Sequence, residues 1–251
     1  MIDETRDGAT AVFALNYPER RNALTIPMRE QLATAFDRIE ADPTVRAVVI
    51  TGRGGHFCGG ADVTGMDAAT PAAGRERFRL NQRLVRLVAY CGKPVIAAVE
   101  GWCVGAGLSL ACLCDTIVAA EDARFMTGFG KLGLVADLGL LHTLPLRIGQ
   151  GRARQVLLYG ETVGAEVAER IGLVDRLAPP GGALSAALAL AHLVNGAAPL
   201  PAALTKQFLT RGLDAALEWE REAQSALFQT VDHAEGKAAF LAKRAPRFSG
   251  S

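Results

Sequence analysis

Charge of one sign is the first thing this sequence lacks. Its 27 Lys and Arg almost balance 26 Asp and Glu, leaving a net charge of +1. Neither a nucleic-acid partner nor a membrane surface is therefore expected. The densest basic stretch, GRERFRLNQRLVRL at 74–87, reads as a solvated helix face. Cysteine is sparse and unpaired: Cys58, Cys91, Cys103, Cys112 and Cys114 lack zinc-type spacing, and no His cluster accompanies them. No metal is expected, and the thiols read as buried and reduced in a cytoplasmic protein. A long uninterrupted apolar run is also missing. The most apolar stretch, 95–120, is broken by Glu100 and Asp115 and punctuated by glycine, so it reads as buried strand, turn and helix, and no membrane span is expected. The acidic, polar start MIDETRDGAT has the character of neither a signal nor a transit peptide.

What is present is an alternation of strand and helix signals. TAVFALN (10–16), RAVVITG (46–52), PVIAAV (94–99) and TIVAA (116–120) read as strands, most of them buried. GLVDRLAP (172–179) reads as a last strand. Met28, Leu32, Ala35, Phe36 and Ile39 recur at helical spacing, with Pro27 in the first turn. Another helix is expected over 72–90, a short buried one after the glycines near 105, and one ending at Gly160. From 182 onward the pattern is helical. These signals predict an α/β core over 1–195 and a helical region over 196–251.

Two glycine-rich turns each follow a β-branched strand: FCGGADV and VGAGLSL. Turns of this kind free backbone N–H groups to face a ligand. The Ala61 and Ala106 N–H groups are the candidates, the second at a helix N-terminus. Paired donors stabilise a developing oxyanion, and losing one costs roughly 10²–10³ in rate. Tight turns in a packed core would give the same residues, so the turns alone do not decide. GAGLSL also lacks the third glycine of a dinucleotide fingerprint. Asp137 stands alone within GKLGLVADLGLLHTLPLRIG. It reads either as the N-cap of a helix beginning at Leu138 or as a carboxylate whose proton affinity an apolar setting raises for acid/base work. His142 lies about a turn and a half further on and need not face it.

The order of RRNALT, VVITGRGGHFCGGADV, KPVIAAVEGWCVGAGLSLACLCD, GLVADLGLLHTLPLRIG, AERIGLVDRL and GKAAFLAKRAPRF resembles the enoyl-CoA hydratase/isomerase (crotonase) superfamily from end to end. The resemblance implies a spiral of ββα units with a helical C-terminal trimerisation region. It implies an acyl-CoA thioester as substrate, coenzyme A being part of that substrate and no separate cofactor being needed. It implies an oxyanion hole from the N–H groups of Ala61 and Ala106. A coenzyme A path is implied along Arg20, Arg21, Ala23 and Leu24, the turn Gly59, Gly60, Ala61, Asp62 and Val63, and Gly105, Ala106 and Phe129. Phe240 and Lys243 match tail positions that in relatives reach a neighbour's coenzyme A. A homo-oligomer, either a trimer or a dimer of trimers, follows.

Departures from the family pattern bear on the reaction. The two glutamates of the hydratases fall at Ser109 and Phe129, and the histidine of the dehalogenase branch falls at Gln82. Asp137 matches the single aspartate of the phenylacetate-pathway acyl-CoA isomerases, whose GLVPD resembles GLVAD here. Glu100 stands where the family often has Asn. The expected activity is enoyl-CoA double-bond isomerisation by Asp137. An atypical hydratase, another crotonase-type lyase or hydrolase, and a non-catalytic coenzyme A-binding subunit are the alternatives.

Overall fold

The computed structural model describes residues 1–66 and 68–251, Asn195 by its backbone alone. Strands are β1 (Ile2–Asp7), β2 (Thr10–Leu15), β3 (Ala47–Gly52), β4 (Val95–Val99), β5 (Trp102–Val104), β6 (Thr116–Ala120), β7 (Arg124–Met126), β8 (Val163–Gly164) and β9 (Arg176–Ala178). The main sheet runs β1-β2-β3-β4-β6-β9, antiparallel at its first pair and parallel thereafter. β5, β7 and β8 form a smaller sheet beside it. Helices are α1 (Ile26–Glu40), α2 (Pro71–Ala89), α3 (Ala106–Leu113), α4 (Leu140–Tyr159), α5 (Ala165–Arg170), α6 (Ala183–Asn195), α7 (Pro199–Leu209), α8 (Leu213–Leu227) and α9 (Val231–Leu241).

Parallel strands buried on both faces explain the near-continuous apolar runs. Val48, Ile50, Val95, Ala97 and Val99 face the core formed with α1, α2, α3 and α4. Their neighbours Ala47, Val49, Ile96 and Ala98 face the other way, onto Ala183, Ala187 and Ala191 of α6. Alanine at every fourth position gives α6 a smooth stripe that lies close against the sheet. Glu100, unexplained in the sequence, caps this helix by accepting from Gly181 N (3.1 Å) and Ala183 N (2.9 Å).

Several expectations need correction. The acidic N-terminal segment, for which the sequence predicts no element, is strand β1, paired along its length with β2. The strand expected over 172–179 is confined to Arg176–Ala178. Gly172 turns the chain at φ +84°, and the Leu173 and Val174 N–H groups bond back to Ala168 O. The expected helix start at Leu138 moves to Leu140, because Leu138 and Gly139 are left-handed, at φ +55° and +80°. Gly149 kinks α4, and Gly160 ends it in a left-handed cap.

In the C-terminal region Leu213 and Leu217 are buried and Phe228 nearly so, whereas Leu204, Phe208, Trp219 and Phe240 are exposed. α8 lies along α2, which brings the tail over the first half of the chain. Among the described residues no single helix is long and apolar enough to cross a membrane. All five cysteines are free and buried, and burial pushes the Cys58 thiol up to about 11.

Candidate active site

The two glycine turns meet. Cys58 N donates to Trp102 O at 3.0 Å and Val104 N to Cys58 O at 2.9 Å, a short parallel ladder between the first turn and β5. A Cβ on Gly107 would lie 2.5 Å from Cys58 O, and one on Gly105 would lie 3.9 Å from the Gly60 Cα. At Gly107 only glycine permits this approach. Gly105 holds φ +51°, ψ −117° as the residue preceding α3. The Ala61 and Ala106 N–H groups follow directly on these glycines, and neither donates within the turn and loop hydrogen bonds described. Leu24 is bridged to Ala61, its N–H donating to Gly60 O at 2.8 Å. Leu24 is fully buried, its side chain packing in the core.

Beside the turns lies a cleft of about 560 Å³, lined by Arg20, Arg21, Ala23, Gly59, Ala61, Asp62 and Val63, with Phe240 and Lys243 of the same chain. Its size suits a small-molecule ligand. Asn22, fully buried at φ +57°, holds its rim. Its side chain accepts from Tyr17 N (2.8 Å) and donates to Arg53 O (2.8 Å) and His56 O (2.7 Å). Phe129 begins a 3₁₀ turn, Phe129–Leu132. It packs with Ala61 on an apolar cluster of Val63, Met66, Phe78, Leu134 and Phe228.

Asp137 sits in the loop before α4. Its side chain caps no helix: its recorded partner is Gln224 Nε2, at 3.2 Å from Oδ2. The cap comes from α8 instead, where Glu220 accepts from Gly139 N at 2.9 Å and Leu141 N at 3.4 Å. Burial pushes the Asp137 carboxyl up to about 6, against the opposing pull of Arg29, Gln224 and Arg77. Arg29, on α1, is buried, its Nε finds no hydrogen-bond partner among the described residues, and its charge pulls the Asp137 carboxyl down.

The remaining candidates fall elsewhere. Ser109 is fully buried, its hydroxyl bonded to Gly105 O at 3.2 Å. Gln82 donates to Leu217 O at 2.7 Å and ties α2 to α8. His142 packs against Gly212, which could not carry a Cβ without approaching the ring to 3.1 Å. Glu220, Gln224 and Arg29 were not anticipated as site residues. Glu220 and Gln224 continue the buried stripe of Leu213 and Leu217 at helical spacing. Two polar residues on a core-facing stripe are the signal that marks them.

The enoyl-CoA hydratase/isomerase family model matches residues 5–251. The chain belongs to that family. It is 37% identical to the 1,2-epoxyphenylacetyl-CoA isomerase of Escherichia coli, over 95% of this chain and 94% of the relative. It is 36% identical to the 2,3-dehydroadipyl-CoA hydratase of the same organism, over 98% and 97%. An enoyl-CoA hydratase crystal structure from Mycobacterium avium subsp. paratuberculosis superimposes with a TM-score of 0.89 at 31% identity, covering 99% of this chain and 98% of that one. The fold is therefore the crotonase fold, and the chain is an enzyme of a family acting on acyl-CoA thioesters.

Proposed function

We propose that the protein isomerises enoyl-CoA thioesters, moving a double bond from the β,γ to the α,β position. The thioester carbonyl would sit against the Ala61 and Ala106 N–H groups. Asp137, ionised, takes a proton from Cα as electrons flow into the carbonyl, giving a dienolate whose oxyanion the two N–H groups stabilise. The same carboxyl returns the proton to Cγ, and the double bond closes between Cα and Cβ. A carboxyl pushed up to about 6 suits both halves of that task, since it is ionised near neutrality and still a competent acid. The thioester is its own electron sink, so coenzyme A enters only as part of the substrate.

The family resemblance supports the choice of isomerisation: by its register Ser109 and Phe129 fall where hydratases place glutamates, and Asp137, buried with its carboxyl pushed up to about 6, matches the single aspartate of the isomerase type. Arg20, Arg21 and Lys243, set against Glu19 and Asp62, line the cleft with cations that coenzyme A phosphates could meet. Hydration is the second reading, favoured by the hydratase names borne by relatives such as the dehydroadipyl-CoA enzyme. A panel of β,γ- and α,β-enoyl-CoA thioesters incubated in deuterated water separates the two. Isomerisation gives a shifted double bond and deuterium exchange at Cα and Cγ. A 3-hydroxyacyl product as the main outcome overturns it.

A further inference from the structure

Glu220 is a buried carboxyl that the isomerisation scheme does not use. It is 2% exposed, on the face of α8 turned toward the loop that carries Asp137. α4 is preceded by Gly139 at its N-cap and has no side-chain cap of its own. Glu220 supplies one from a distant part of the chain, accepting from Gly139 N at 2.9 Å and Leu141 N at 3.4 Å. The residue it grips follows Leu138, a branched residue held left-handed at φ +55°, a conformation that side chains resist. One turn further along α8, Gln224 is fully buried and holds Val135 O at 2.8 Å and Asp137 Oδ2 at 3.2 Å. The loop is thus clamped on both sides of Asp137 by residues four apart on one helix face.

We propose that Glu220 is a positioning residue for Asp137: it fixes the left-handed turn that aims the Asp137 carboxyl, and couples its own charge to that of Asp137. This rests on Asp137 being the acid/base group. Two carboxyls in one water-poor site resist ionising together, and the pair then titrates as a unit. Burial pushes Glu220 up to about 8, the Gly139 and Leu141 N–H groups opposing this and the Asp137 charge adding to it. The other charges facing the pair are Arg29 from α1 and Arg77 from α2, both acting on Asp137. His142 on α4 faces Gly212 instead. Ionisation of one carboxyl therefore raises the proton affinity of the other.

The test is the pH dependence of kcat/KM for wild type and Glu220→Gln, which keeps the volume and one acceptor. The wild type is expected to show two ionisations between about pH 5 and 9. The variant is expected to show one, with kcat/KM at its optimum lowered about tenfold. A single ionisation shared by both proteins reduces Glu220 to a structural cap and overturns the proposal. Should Glu220→Gln fail to fold, carboxyl ¹³C titration of wild type and Asp137→Asn gives the same answer. Neutralising Asp137 should lower the Glu220 midpoint, and an unmoved midpoint overturns the coupling. This second measurement needs no turnover. A wild type that titrates as coupled but isomerises nothing supports the pairing and faults only the assigned reaction.

Discussion

Gln224 Nε2 lies 3.2 Å from Asp137 Oδ2, a contact that joins α8 to the loop before α4 across 87 residues of chain. Donation to a carboxylate favours its ionised form, so this bond opposes the burial that raises Asp137. Gln224→Met removes the donor and keeps much of the apolar volume. The acidic limb of the pH–rate profile should then move to higher pH, with kcat at pH 7 lowered. An unmoved limb would show that Gln224 only packs.

If Asp137 is the acid/base group proposed, it sets stability against activity. Its folded value of about 6 exceeds the unfolded 3.8, so the native state holds a proton that the unfolded chain releases between these values. Stability therefore falls as pH rises through that window and stays reduced above it. A shift of that size corresponds to about 3 kcal/mol at pH 8. Asp137→Asn, which cannot ionise and can still accept from Gln224, should raise the melting temperature at pH 8 and change it little below pH 4. Turnover should fall about 10²–10⁴-fold. Thermal unfolding at the two pH values checks the first, and enoyl-CoA turnover the second.

The proposed oxyanion hole is open to test through its glycines. At φ +51°, ψ −117°, Gly105 occupies backbone space that an L-residue resists, and a Cβ there would stand 3.3 Å from Thr127 O. Gly105→Ala should displace the Ala106 N–H and lower kcat by about 10²-fold. Coenzyme A binding, measured by calorimetry, should change much less. Equal losses in both would show that the turn shapes the cleft and not the oxyanion contact.

Much of the candidate site is legible in the sequence because it depends on local rules. Glycine pairs after β-branched strands marked both turns, and an isolated acid in an apolar stretch marked Asp137. The left-handed Leu138–Gly139 turn was not legible, since a leucine at positive φ contradicts local preference and persists only where the surroundings hold it. Those surroundings come from α8, some eighty residues later. The acid cap on α4 is likewise a long-range contact, invisible to any rule that looks for a cap beside the helix. Strand β1 was missed for a related reason. Its sequence IDETRD lies at the sheet edge and needs little apolar character, because it pairs through backbone bonds with the fully buried β2.

The exposed apolar side chains of the C-terminal region call for a partner. Leu204, Phe208, Trp219 and Phe240 are each 58–65% exposed, and such surface usually marks an interface. A closed homo-oligomer, a trimer or a dimer of trimers, would bury it. Light scattering should give a mass of at least three times 26.4 kDa. Phe208→Glu with Trp219→Glu should lower that mass. A stable, active wild-type monomer would contradict the assembly.

The central claim is that Asp137 moves a proton within the substrate and adds no water. It is tested most directly by supplying a β,γ-enoyl-CoA in water enriched in both ¹⁸O and deuterium and weighing the products by mass spectrometry. The expected product is an α,β-enoyl-CoA free of ¹⁸O, formed by the wild type and not by Asp137→Asn. A 3-hydroxyacyl-CoA carrying ¹⁸O as the main product, or an undiminished shift of the double bond in Asp137→Asn, would contradict it.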